Sequence, residues 1–242
     1  MTLNLTNSML VVSIAWLSVS LIGGLPFMLS INLKPLDAFF ESTSGFTTTG
    51  FTVLQNLSSL PHSILFWRSF IQWLGGIGIL TFFLFITYRS ESQLWQLFTA
   101  ESHKIETTRP VPNIFRSIKI LWSIYTLFTL LEIILLVAVQ VSFFDALIHS
   151  LTTLSTAGFS NYDASIGHFA KIGHPYYKAI EYIIIVFMLL GGINFLIHYK
   201  VLKGDIKAIF KNFELKYFWS ILIIVLSVIL LGTIFRSNSI FS

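Results

Sequence analysis

Cysteine is absent from this 242-residue chain, which excludes disulfides, thiolate metal sites and cysteine nucleophiles. The absence carries no information on redox compartment. Charge is almost as scarce, with Asp, Glu, Lys and Arg forming 11% of the residues, against about 25% in an average soluble domain. With 55% apolar residues and a mean hydropathy of +0.79, the expected fold class is an all-α integral membrane protein. The surplus of positive charge, +4 overall, would suit nucleic acid. The basic residues nevertheless gather in two short loops between apolar runs and read as topology signals. No nucleic-acid partner is expected, and membrane lipid is the surrounding one. No basic segment precedes the apolar run from Met9 to Leu29 and no small-residue cleavage site follows it, so it is expected to stay as a helix rather than be removed.

Five stretches, roughly 9–29, 62–87, 118–141, 176–199 and 217–235, are long enough for about 30 Å of hydrocarbon. Two shorter ones, 37–47 and 145–155, fit half-helices that enter the membrane part way. The expected organisation is a first span/pore-loop/span unit at 1–87, a cytoplasmic linker at 88–117 and a second such unit at 118–199. A cytoplasmic loop at 200–216 and a fifth transmembrane helix at 217–242 follow. Arg89, Lys104, Arg109, Arg116 and Lys119 crowd the first connection, and Lys200, Lys203, Lys207, Lys211 and Lys216 the second. Both are therefore expected in the cytoplasm, with the N-terminus inside and the C-terminus outside.

DAFFESTSGFTTTGF, Asp37 to Phe51, returns without a gap as DALIHSLTTLSTAGF, Asp145 to Phe159. LGGIG, Leu74 to Gly78, is answered by LGGIN, Leu190 to Asn194, at a slightly wider offset. The chain thus carries tandem span/re-entrant pore-helix/span repeats, an ion-channel-like arrangement. In hydrocarbon an unsatisfied amide or carbonyl costs several kcal/mol, so a polar, non-helical strip between apolar segments belongs where it lines a cavity. Asp37 and Asp145 are expected as N-caps of the half-helices. The opposite, partially negative helix ends then point into the membrane and favour a cation. The chain turns back through Thr47, Thr48, Thr49 and Gly50, and again through Ser155, Thr156, Ala157 and Gly158. Glycine lets successive carbonyls aim at one axis. Carbonyls without carboxylates suit a weakly hydrated monovalent cation, potassium first and sodium as its competitor. The bland reading, a polar loop with turn glycines, explains one copy but not an ungapped pair.

FFESTSGFTTTGF, then LPHSILFWRSFIQWLGGIGI and STAGFSNYDASIG, resembles the membrane subunit of the Trk/Ktr/HKT potassium transporter superfamily, most closely its bacterial TrkH branch. The resemblance implies four such units around one pore, each giving one filter strand with a key glycine. It also implies a cytoplasmic nucleotide-binding regulatory subunit and a bacterial inner (plasma) membrane location. Gly50 and Gly158 are by this resemblance the filter glycines. The filter is Thr47, Thr48, Thr49, Gly50, Ser155, Thr156, Ala157 and Gly158, with the carbonyls of Thr48, Thr49, Thr156 and Ala157 as ion ligands. Potassium is the transported substrate, and no cofactor is expected on this chain. Only two filter units are present, and the fifth span resembles the first helix of a third. The pore would then be completed by a second copy or by the remaining repeats. The competing reading is a non-conducting truncated or accessory half-transporter. An enzyme is not expected, since no nucleophile pairs with a base and no helical metal motif occurs.

Other residues divide between plain and functional readings. Arg68, about two turns inside its span, is expected to snorkel to the headgroups; pairing with Glu41 or repelling cations at the mouth are its alternatives. Glu132, near the middle of the third span, should face protein or water, either pairing or tuning the pore, or held protonated between helices. Glu181 reads as a mouth or interface residue. Gly75, Gly76, Gly78, Gly191 and Gly192 are expected to seat the half-helices against the outer spans. Asn194 could hydrogen-bond across the pore. The six histidines show no metal-site spacing. Phe51 and Phe159 are expected to brace the filter from behind.

Overall fold

The computed structural model describes residues 5–89, 114–207, 209 and 212–238. All regular structure among them is helical: α1 Leu5–Ile31, α2 Pro35–Phe46, α3 His62–Arg89, α4 Ile114–Ala138, α5 Phe143–Leu154, α6 Gly167–Lys171, α7 Tyr177–Gly192, α8 Phe195–Leu202 and α9 Phe213–Asn238, with a short 3₁₀ turn at Leu57–Ser59. Residues 90–113, most of the expected first linker including Lys104 and Arg109, and Lys211 of the second connection lie outside the described residues. The chain forms two compact bodies, Met1–Gly192 and Ile193–Ser242.

The first body contains the first repeat and the second as far as Gly192. Runs long and apolar enough to cross a membrane occur at Ser13–Ile31 in α1 and Ile118–Ala138 in α4. The 28 residues of α3 make about 42 Å of helix. By contrast α2 and α5 have 12 residues each, about 18 Å, which is too short to span. Each opening span ends on a left-handed residue, Asn32 (φ 53°) and Gln140 (φ 67°), which hold equivalent positions in the two copies and turn the chain back into the half-helix. The repeats also have separate, corresponding cores. Phe27, Ala38, Phe46, Ile64 and Ile71 pack together in the first; Ile133, Leu136, Val141, Ala146, Phe169, Ile180 and Ile184 do so in the second. Ala38 and Ala146, each fully buried, hold matching positions where a half-helix crosses its opening span.

The two repeats join through α3, which packs on α4 and α5. The Trp73 indole donates to Thr129 Oγ1 at 3.1 Å, and the Tyr125 hydroxyl donates to the Trp73 carbonyl at 3.3 Å.

The half-helices begin differently from the sequence expectation. Neither aspartate is an N-cap. Lys34 holds that position in α2 without a side-chain bond and Pro35 follows at the first turn, a place where the missing N–H costs nothing. In α5 the cap is Ser142, whose Oγ accepts from Asp145 N at 3.1 Å and donates to Asp145 Oδ2 at 2.7 Å. The aspartates sit in the first helical turn, where a carboxylate still complements the helix dipole. Replacing Ser142 by Ala is expected to cost about 1 kcal/mol, lowering the melting temperature by about 2–4 °C. A fluorescence-monitored thermal melt of the purified protein measures this.

In the second body α8 starts at Asn194, whose Oδ1 accepts from Leu196 N at 3.0 Å, while its Nδ2 donates to Glu214 Oε2 at 3.2 Å. The stretch expected as one span at 176–199 is therefore two helices, because glycines followed by a capping asparagine end one and start the next. Asn194 serves this start rather than a bond across the pore. In α9 the run Phe213–Thr233 is long and apolar enough to cross a membrane and buries almost none of its side chains.

Candidate functional site

The two polar strips leave their half-helices by the same sequence of bonds. Thr48 N donates to Gly45 O at 3.0 Å and Thr49 N to Ser44 O at 3.0 Å; in the second copy Thr156 N donates to Thr153 O at 2.9 Å and Ala157 N to Thr152 O at 3.1 Å. Thr48 (φ 55°) and Thr156 (φ 53°) are left-handed, as are Gly50 (φ 78°) and Gly158 (φ 91°). A β-branched residue in that region is strained by roughly 1–3 kcal/mol and persists only where its surroundings dictate it. The alternation of left-handed and ordinary residues is therefore built into the sequence twice.

This backbone leaves its acceptors free. Among the described residues, no donor reaches the carbonyls of Thr47, Thr48, Thr49 and Gly50, nor those of Thr156, Ala157 and Gly158. Further along, Ser44 Oγ donates to Phe51 O at 2.6 Å, and Arg68 Nη1 to Ser160 O at 3.2 Å. Ser155 O is also occupied, by the Thr156 hydroxyl at 2.8 Å, so it stands apart from the other seven predicted filter residues. The strips lie against each other, and a Cβ placed on Gly50 would collide with the Ala157 carbonyl oxygen.

The outer helices seat the half-helices through their glycines. A Cβ on Gly75 would strike the Phe46 carbonyl, and one on Gly191 would lie 2.8 Å from that of Leu154. Phe46 and Leu154 are the last residues of α2 and α5, so the same close contact fixes the root of each strip. Gly76 packs across the repeats instead, its Cβ direction meeting Ser155 and the Tyr125 hydroxyl. Gly78 makes no such close contact.

Two sequence expectations change here, those for Arg68 and Phe51, while Glu132 faces protein as expected. Arg68 does not snorkel: it is 1% exposed, and its Nε donates to Glu41 Oε1 at 2.9 Å. Depth along the helix suggested the headgroups, but the partner comes from the half-helix of the same repeat. Phe159 is buried behind its strip as expected, whereas Phe51 is 70% exposed and not packed behind the first strip among the described residues. Glu132 is fully buried; it faces Thr153 on α5, with neither carboxylate oxygen in hydrogen-bond geometry.

Asp145 anchors the outer end of the second strip, accepting from Asn161 Nδ2 at 2.7 Å and from the Tyr162 hydroxyl at 3.0 Å. Partial burial and the nearby Asp145 carboxylate push the Tyr162 hydroxyl up to about 12, so it remains a donor. Across the mouth, Asp163 accepts from Leu57 N at 3.2 Å. The sequence signal for this network was the Ser-x-x-Asp spacing from Ser142 to Asp145.

Comparison with known proteins gives a consistent result. The family model described as TrkH, cation transport protein, matches residues 1–235. The chain is 39% identical over 219 residues to an uncharacterized cation transporter of Methanocaldococcus jannaschii, covering 89% of this chain and 43% of the relative. It is 38% identical over 213 residues to the Trk system potassium uptake protein TrkH of Escherichia coli K12, covering 86% of this chain and 43% of that protein. Among solved structures, the potassium transporter TrkH from Vibrio parahaemolyticus superposes with a TM-score of 0.74 at 32% identity, over 90% of this chain and 43% of its own. The chain thus spans less than half the length of these relatives. The paired half-helices, the repeated strips and a family match over nearly every residue agree: this chain is an all-α integral membrane protein belonging to the TrkH family of cation transport proteins.

Proposed function

We propose that this chain supplies two strands of a potassium-selective filter in a Trk-type transporter of the plasma membrane, the bacterial inner membrane. The observation that carries the reading is the pair of strips whose carbonyls are left without donors in the same register, each rooted at the negative end of a half-helix. A hydrated cation arriving at the outer mouth would exchange water for the carbonyls of Thr47 to Gly50 and of Thr156 to Gly158. Seven neutral oxygens in a strained, pre-set backbone favour a monovalent ion that must bind and leave quickly. The relatives named for potassium uptake support potassium over sodium. No covalent chemistry is involved.

Two strips do not encircle an ion. Gly50 is packed against the Ala157 carbonyl, while among the described residues nothing beyond its chain neighbours lies within 4 Å of a Cβ built at Gly158. The second strip therefore has an open flank, and the relatives are more than twice as long. We assign that flank to further filter strips, from remaining repeats or from a second copy. The same open flank favours the second reading, a half-transporter that does not conduct alone. The basic connections at 88–117 and 200–216 are read as cytoplasmic, with the N-terminus on that side, facing a nucleotide-binding regulatory subunit.

Reconstitution into liposomes tests the proposal. Cross-linking gives the number of chains per assembly, and rubidium and sodium uptake are measured on the same vesicles. Rubidium uptake exceeding sodium uptake, confined to assemblies that hold at least four strips, is expected. Equal uptake of both ions by a complete assembly would overturn the filter assignment.

A further inference from the structure

Glu41 on α2 and Arg68 on α3 form an ion pair in which both side chains are essentially inaccessible, at 0% and 1% exposure. Burying two charges costs desolvation that mutual attraction rarely more than repays, so such a pair is weak evidence for stability. The second repeat makes the point internally. Glu41 corresponds to His149 in the ungapped alignment of the half-helices, and Arg68 to Ile184 when the outer helices are aligned on Leu74 and Leu190. That repeat builds its half-helix and its outer helix α7 without an ion pair of its own, so the packing of a half-helix on its outer helix does not call for one.

What the pair touches is the back of both strips. The Glu41 carboxylate accepts from the Thr52 hydroxyl at 2.8 and 3.0 Å and from Val53 N at 3.1 Å. Arg68 Nη2 donates to Thr52 Oγ1 at 3.1 Å and Nη1 to Ser160 O at 3.2 Å. Thr52 and Ser160 hold the same register position in the two copies, each directly after the phenylalanine that follows a filter glycine. The guanidinium carbon also lies 4.2 Å from the centroid of the Phe159 ring. One turn further along α3, Gln72 Oε1 accepts from Phe159 N at 3.2 Å. A single planar fork thus reaches both strips just past their filter glycines, while Glu41 keeps its charge from acting on an ion.

We infer that Arg68 is a positioning residue that fixes the separation of the two filter strips, and through it the discrimination between potassium and sodium. This rests on the filter reading above. The guanidinium suits the role because its donors diverge in a rigid plane; a lysine ammonium keeps the charge but not the geometry. The second strip is held from the first repeat, so one residue governs two ligand rows.

The test compares Arg68→Lys with the double variant Glu41→Gln/Arg68→Met, which substitutes a neutral pair for the buried charges. Two readouts are taken in each background. The first is the ratio of rubidium to sodium uptake in the assembly that conducts. The second is the inter-strip distance from spin labels on Val53→Cys and Ala164→Cys, which are unambiguous sites because the chain has no cysteine of its own. Both variants are expected to fold, to broaden the distance distribution, and to lower the uptake ratio by about tenfold, the effect of one lost hydrogen bond to a charged group. An unchanged ratio together with an unchanged distance, in a variant that folds, overturns the inference. Should the unmodified protein pass both ions equally, the filter reading fails while the label distance still decides whether Arg68 sets the strips apart. If Arg68→Lys reduces only the amount of folded protein, and the double variant keeps the wild-type ratio and distance, the pair is structural and the inference falls.

Discussion

Gly50→Ser in a complete transporter is expected to abolish discrimination between potassium and sodium. Two independent obstacles meet at this position. The backbone is left-handed, with φ at 78°, where a residue with a Cβ is strained by roughly 1–3 kcal/mol. The Cβ itself would collide with the Ala157 carbonyl oxygen, one of the groups assigned to the ion. Backbone on both sides prevents a cheap escape, so both strips must move. Gly158→Ser provides the internal control. Its φ is 91°, so the backbone strain is comparable, but beyond its chain neighbours no atom of the described residues lies within 4 Å of the new Cβ. In this chain it is expected to shift the selectivity less than Gly50→Ser does. Paired uptake of rubidium and sodium by the two variants, at matched protein levels, gives the comparison. Equal selectivity in Gly50→Ser and the parent would remove the strip from the pathway.

Gly75→Val is expected to have the largest effect on folding. The residue lies where α3 crosses the end of α2, and any side chain there meets the Phe46 carbonyl. Overpacking typically costs about 1–3 kcal/mol, and here the obstacle is backbone, which places the substitution at the upper end. A β-branched residue has little rotamer freedom with which to avoid it. The expected result is loss of the monodisperse species in detergent, read by size-exclusion chromatography, or a lowered melting temperature. Gly78→Val, with its nearest atom 4.0 Å away on Trp16, is the tolerated comparison. Identical behaviour of the two variants would mean that the glycines of α3 are not there for close packing.

Much of this could be read from the residues because the protein states its main feature twice. Lipid forbids irregular backbone except at a cavity, so a repeated polar strip between apolar runs left few readings open, and the glycine spacing then matched the close crossings at Phe46 and Leu154. The errors came where one residue had two physical options of similar merit. Arg68 was at snorkelling depth, and only the approach of α2 showed that Glu41 and Thr52 were nearer than any headgroup. Asp37 and Asp145 looked like caps by residue type, yet Pro35 and Ser142 started the helices earlier. The apolar run at 176–199 gave no sign by hydropathy that it would break, since Gly191, Gly192 and Asn194 interrupt geometry rather than apolarity. Phe51 and Phe159 hold the same register position, each directly after a filter glycine, and are opposite in burial, because only the second has Arg68 and Gln72 behind it.

The differing spacings of the repeats have a practical consequence. From opening span to strip the two copies keep step residue for residue, while the connection from strip to outer helix is longer in the second, where it accommodates α6 and the stack of Tyr162 on His168. One segment keeps its length in both copies and the other differs in length without shifting the glycine that seats the half-helix. An epitope or purification tag therefore belongs at the exposed Ser58 and Ser59 of the first repeat, past the buried Leu57 that reaches Asp163, on the side of the strip where length is negotiable.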